Sequence, residues 1–172
     1  MVLFDTSILI FLTQPYAKVL NDPVTGEPVS NPGERVDYLI KRLNKSKERI
    51  IIPTPALTEY LVKAGEAMQE QLKVFEKPPF QIVPFDTRAA IECAFALNQN
   101  KFKNKKEKEE AVSRAKIKFD WQIVSIAIVE KVSAIYSDDL QIKRFAEKYD
   151  ISVISIASLD LDPGKDQLEL VL

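Results

Sequence analysis

Histidine is absent from the 172-residue chain, which excludes every serine–histidine–aspartate triad, every HExxH zinc site and every two-histidine iron site. The single cysteine, Cys93, cannot close an internal disulfide or build a multi-thiolate zinc site; inside an apolar helical stretch it reads as a small core residue. The four glycines, Gly26, Gly33, Gly65 and Gly164, never fall in GxGxxG or GxxxxGK spacing, so the dinucleotide and P-loop fingerprints are missing. No apolar run approaches the roughly 18 residues of a bilayer-spanning helix; the best, residues 123–129, contains a serine and stops at Glu130. The opening Met1-Val2-Leu3-Phe4-Asp5 carries no basic leader, and the expectation is a cytoplasmic protein without a membrane contact.

What remains for chemistry is carboxylates, hydroxyls and lysines. Carboxylates working without imidazole point to hard, oxygen-preferring ions such as Mg²⁺ or Mn²⁺. A net charge of −1 does not advertise nucleic acid, so any basic surface must be local. Residues 101–118 supply one: eight lysines or arginines against three glutamates, a local excess of five. Such a run reads either as a solvated helix face with Lys/Glu pairs or as a phosphate-contacting surface. Lys116, four residues before Asp120, is its best candidate to face a cleft.

With 46% apolar residues and no internal repeat, the chain is expected to fold as one domain over residues 1–172. Strand and helix patterns alternate, predicting an α/β domain with a mainly parallel sheet. Val2-Leu3-Phe4, Ile50-Ile51-Ile52, residues 80–85, Ala134-Ile135-Tyr136 and Ile151-Ser152-Val153-Ile154 read as strands. Residues 13–33, with four prolines, read as an insertion loop. Asn31-Pro32-Gly33-Glu34 then offers a capping box, and Thr54-Pro55 a cap followed by a first-turn proline. The second of these helices is expected to continue to about Phe75, where Pro78-Pro79 stop it. Asp86 is read as a plain helix cap, residues 121–132 and 138–148 as helices, and Trp121 and Tyr136 as core rather than base-stacking residues. The Leu168-Leu170-Leu172 alternation offers an extra edge strand.

In an open parallel sheet, ligands bind outside the carboxyl ends of the strands, and the acids concentrate at such positions. Asp5 follows the first strand, Glu59 lies near the start of the helix after the second, Asp120 opens a helix, and Asp138 and Asp139 follow the fourth strand. An acid at a helix start also satisfies backbone N–H groups and the helix dipole, so each position alone has a plain structural explanation. Convergence of several acids on one cleft would not, because they repel one another unless cations or protons neutralise them.

Four pieces in this order carry a resemblance: Val2-Leu3-Phe4-Asp5-Thr6-Ser7; residues 54–60 with Glu59; Lys118-Phe119-Asp120-Trp121-Gln122-Ile123-Val124-Ser125-Ile126-Ala127; and Ile135-Tyr136-Ser137-Asp138-Asp139. Together they resemble the PIN-domain family, metal-dependent ribonucleases that include VapC-type toxins. The resemblance implies a five-stranded parallel sheet between helices, strand order 3-2-1-4-5. It also implies Mg²⁺ or Mn²⁺ in an acidic cleft held by Asp5, Glu59, Asp120 and Asp139, with Asp138 an adjacent second choice. Gln141 stands where the family often shows a further acid. Thr6, Ser137 and Lys116 become substrate-side candidates. The implied activity is endonucleolytic cleavage of RNA to 5′-phosphate and 3′-hydroxyl ends, the implied partners an antitoxin and a second copy in a homodimer. The competing reading is a non-catalytic nucleic-acid- or protein-binding module on the same fold. A haloacid-dehalogenase-type phosphatase would want a second aspartate where Ser7 stands.

Overall fold

The short apolar runs pair as expected, and their alternation sets up two cores. The computed structural model describes residues 1–14, 20–100 and 111–163. In it β1 (Val2–Phe4), β2 (Ile50–Pro53), β3 (Phe80–Val83), β4 (Ala134–Tyr136) and β5 (Ser152–Ile154) form a sheet of order β3-β2-β1-β4-β5. All four pairings are parallel. Successive side chains on a strand point to opposite faces. Val2, Phe4, Ile50, Ile52 and Tyr136 therefore enter one core, against α1 (Thr6–Thr13), α2 (Pro32–Lys45), α3 (Thr54–Ala64) and α4 (Met68–Phe75). Leu3, Ile51 and Ile135 enter the other, against α5 (Thr87–Asn100), α6 (Ala111–Val129) and α7 (Leu140–Ala146). Helices thus cover both faces, which is why the three central strands β1, β2 and β4 are apolar throughout. Trp121 is buried and stacked on Phe145, and Tyr136 and Cys93 are also core residues. Among the described residues no helix is long and apolar enough to cross a membrane.

Several local readings are corrected. Asn31 precedes α2 in the left-handed region, φ 48°, and makes no side-chain cap; a capping side chain needs an extended backbone at that position, so the Asn31–Glu34 box does not form. Thr54 lies inside the first turn of α3 after Pro53, and its hydroxyl instead accepts from the Phe85 amide at 3.1 Å. The long helix expected to reach Phe75 breaks at Gly65, whose φ of +56° with ψ of −122° lies outside the regions open to residues with a Cβ; a short 3₁₀ turn, Gly65–Ala67, then leads into α4. Strand β3 ends at Val83 because Pro84 has no N–H for the ladder. Asp86 does cap α5, accepting from the Ala89 amide at 3.0 Å. The final helix is shorter than residues 138–148, running Leu140–Ala146 and ending in a 3₁₀ turn, Glu147–Tyr149.

Against the expectation from sequence, Asp120 does not open a helix; it lies well inside α6, which begins at Ala111, so helix capping cannot explain it. The basic segment 101–110 and the proposed edge strand at Leu168–Leu172 fall outside the described residues. Of the 13–33 insertion, the described part holds an antiparallel bridge between Asn21 and Pro28.

Candidate functional site

Three of the expected acids meet at one cleft, Asp5 and Asp139 from the carboxyl ends of the adjacent strands β1 and β4 and Asp120 from α6. Asp5 leaves β1 with its amide bonded to the Tyr136 carbonyl at 3.1 Å, which pins it beside the exit of β4. Its side chain makes no cap on α1; it is buried, and its Oδ2 accepts from Ser137 Oγ at 2.7 Å. Burial raises the Asp5 carboxyl to about 6, opposed by the Ser137 hydroxyl and reinforced by the charges of Glu59 and Asp139.

Asp120 reaches the same place from α6. It is only 5% exposed, and its Oδ2 has no hydrogen-bond partner among the described residues. Burial, then the charge of Asp139, raises it to about 7 against the pull of Lys116. Two carboxyls pushed up in one cleft by burial and by a shared neighbour are the electrostatic mark of converging acids.

Asp139 and Asp138 are told apart by where they turn. Asp139 caps α7, its Oδ1 accepting from the Gln141 amide at 2.7 Å, while its Oδ2 accepts from the Lys116 ammonium. Its own amide donates to Ser137 Oγ at 3.0 Å, so one hydroxyl links Asp139 to Asp5. Asp138 turns toward the 3₁₀ turn that follows β5, where its Oδ1 accepts from the Ile156 amide at 2.9 Å; its carboxyl is raised by burial and by Asp22, not by the other site acids. It also lines the main cleft, with Oδ2 buried and unpartnered among the described residues.

Glu59 sits on α3 at the rim, its side chain 56% exposed. Thr6 Oγ1 donates to its Oε2 at 2.9 Å and Lys63 to its Oε1 at 3.1 Å. The cleft has a volume of about 730 Å³ and is lined by all five acids together with Thr6 and Lys116. Ser137 is 2% exposed, and its hydroxyl lies between Asp5 and the Asp139 amide, behind the cleft wall. Lys63, Phe119 and Val62 also line the cleft and were not anticipated. Lys63 could have been found from its spacing four residues after Glu59. Phe119 and Val62, 47% and 72% exposed, carry no sequence signal that separates a cleft wall from a core.

Among the described residues no three acidic or thiol side chains are drawn together to close on one ion as they stand; the cation that meets Asp120 and Asp139 is the Lys116 ammonium. The donor set nonetheless suits a hard divalent ion: it is all carboxylate oxygen, and the Asp120 Oδ2 atom is buried without a hydrogen bond.

No family model and no curated protein sequence matches the chain. Solved structures do. VapBC2 from Rickettsia felis, bound to a DNA fragment from its promoter, is similar over 90% of this chain and 98% of that one, at 14% identity and a TM-score of 0.57. DNA-bound VapBC from Salmonella typhimurium is similar over 90% and 97%, at 16% identity and a TM-score of 0.52. VapC20 of Mycobacterium tuberculosis, a toxin that cleaves the sarcin-ricin loop, is similar over 84% and 94%, at 13% identity and a TM-score of 0.53. At these identities the likeness is one of fold, and the fold is the PIN-like α/β fold of those VapC structures.

Proposed function

We propose that this chain, built on the PIN-like fold, is a Mg²⁺- or Mn²⁺-dependent endoribonuclease acting in the cytoplasm as the toxin of a toxin–antitoxin pair. The observation that carries the reading is the meeting of Asp5, Asp120 and Asp139, from three separated segments, around one cleft in which two of them are pushed toward neutrality. Asp5, Glu59, Asp120 and Asp139 would hold the metal, with Asp138 in reserve. A bound divalent ion supplies a water acidic enough to give hydroxide near neutral pH and neutralises charge developing on the phosphate.

The chain's own residues do the rest. Ser137 fixes the Asp5 carboxylate and, through the Asp139 amide, the start of α7. Thr6 orients Glu59. Lys116, at the mouth, offers a positive contact for an RNA phosphate that the acids would otherwise repel. Phe119, exposed on the cleft wall, takes the base-stacking role that buried Trp121 and Tyr136 cannot. An antitoxin and a second copy of the chain are the proposed protein partners.

The test is cleavage of total cellular RNA by the purified chain in Mn²⁺ against an EDTA control, with the ends of the products mapped. Mn²⁺-dependent fragments with 5′-phosphates support the reading. RNA bound but never cut in Mn²⁺ or Mg²⁺ overturns it and selects the non-catalytic binding module.

Ser137→Ala is expected to lower turnover by about 10- to 100-fold, the usual cost of losing a partner that orients a metal ligand, while Mn²⁺ still binds in a titration. Wild-type turnover in this variant would remove the positioning role.

A further inference from the structure

Lys116 occupies an unusual position for a surface lysine. Four residues before Asp120 on α6, it shares a helix face with that acid, yet it also pairs with Asp139 across to α7. Its Nζ lies 3.6 Å from Asp120 Oδ2 and hydrogen-bonds Asp139 Oδ2. The two acids differ sharply from the lysine in their freedom. Asp120 is buried with no other partner for Oδ2, whereas the Lys116 side chain is 59% exposed. An ammonium on a four-carbon stem is a compact, strongly hydrated charge held by no directional fork, so it can swing into water and be solvated there. The acids cannot follow it, and a buried carboxylate left without a cation is penalised.

We propose that Lys116 is a tethered counter-cation that competes with the divalent ion for Asp120 and Asp139 and so sets the metal concentration at which the site loads. This rests on the metal-site reading above and goes beyond it, because it makes loading a displacement rather than the filling of a vacant cleft. The tether keeps one ammonium always near the two oxygens; the divalent ion prevails by its greater charge and by drawing on Asp5 as well. The displaced lysine is then free at the cleft mouth for a phosphate, so metal loading and substrate contact are linked.

The experiment is calorimetric titration of Mn²⁺ into the metal-stripped full chain at fixed ionic strength and about pH 8, where the carboxylates are ionised. Wild type, Lys116→Met and Lys116→Arg are compared. Lys116→Met is expected to bind Mn²⁺ about tenfold more tightly than wild type, and Lys116→Arg, which keeps the charge, to stay close to wild type. Equal or weaker binding by Lys116→Met, with wild type binding, overturns the competition and leaves the metal site standing. Absence of Mn²⁺ binding by wild type and both variants overturns the metal site and the competition together.

Discussion

Asp5→Asn is expected to reduce Mn²⁺-dependent RNA cleavage by more than about 100-fold, beyond the usual cost of losing a partner outside the ion's direct ligands, in a protein that remains folded. Asp5 follows the central strand β1, paired on both sides, and its backbone is held by the hydrogen bond its amide donates to the Tyr136 carbonyl, whatever its side chain. Asparagine keeps an oxygen to accept from Ser137 but gives up the negative charge that a hard cation requires. The substitution also removes a carboxyl that burial already disfavours as an anion, so stability should hold or rise. Loss of activity could therefore not be blamed on unfolding. A cleavage assay paired with thermal melts in EDTA decides the matter, and a folded variant retaining a tenth of wild-type activity would remove Asp5 from the chemistry.

The features legible in the sequence are those that depend on short-range pattern. Ile50-Ile51-Ile52 and Ala134-Ile135-Tyr136 could be read as buried strands because both faces of a parallel sheet are covered and every residue must be apolar. Asp5, Asp138 and Asp139 could be placed at strand ends for the same reason. Asp120 is legible as a helix residue, but its place within the helix is not: the lysine-rich residues before it show no apolar periodicity, and nothing local announces that α6 begins as early as Ala111. Asn31 and Thr54 have the right residue types for caps, but a cap depends on the φ and ψ that the preceding chain imposes, and those were settled by the loop before α2 and by Pro53. The Lys116–Asp120 half of the ion network follows from spacing alone. The Lys116–Asp139 half, the turning of Asp138 toward Ile156 and the withdrawal of Ser137 behind the wall are tertiary facts, set by how β4 and α7 pack beside β1.

In EDTA, the stability gap between Asp120→Asn and wild type should open as pH rises, and Mn²⁺ should close or reverse it. An unfolded aspartate titrates near 3.9, whereas Asp120 in the folded chain is raised to about 7. Below about pH 4 the carboxyl is protonated in both states and contributes no difference. Between the two values the folded state holds the extra proton, so stability falls as pH rises; above about 7 the full penalty is present, of order 4 kcal/mol. Asp5, raised to about 6, adds a loss of the same sign over a lower window in both proteins; because its charge is among those that raise Asp120, the difference between the proteins reports Asp120 together with its coupling to the neighbouring acids. Asparagine has no charge to desolvate, which makes the variant the more stable of the two at pH 8, by an amount that vanishes toward pH 4. A divalent ion acts on wild type in the opposite sense, since a ligand bound only by the folded state adds about 2.7 kcal/mol at a hundred times its Kd, and the variant, missing one ligand, gains less. Urea unfolding at a series of pH values, in EDTA and in Mn²⁺, measures both effects. A gap between the proteins that stays constant across that range would mean that Asp120 carries its charge in the fold without penalty, and the crowding of acids that the nuclease reading requires would be gone.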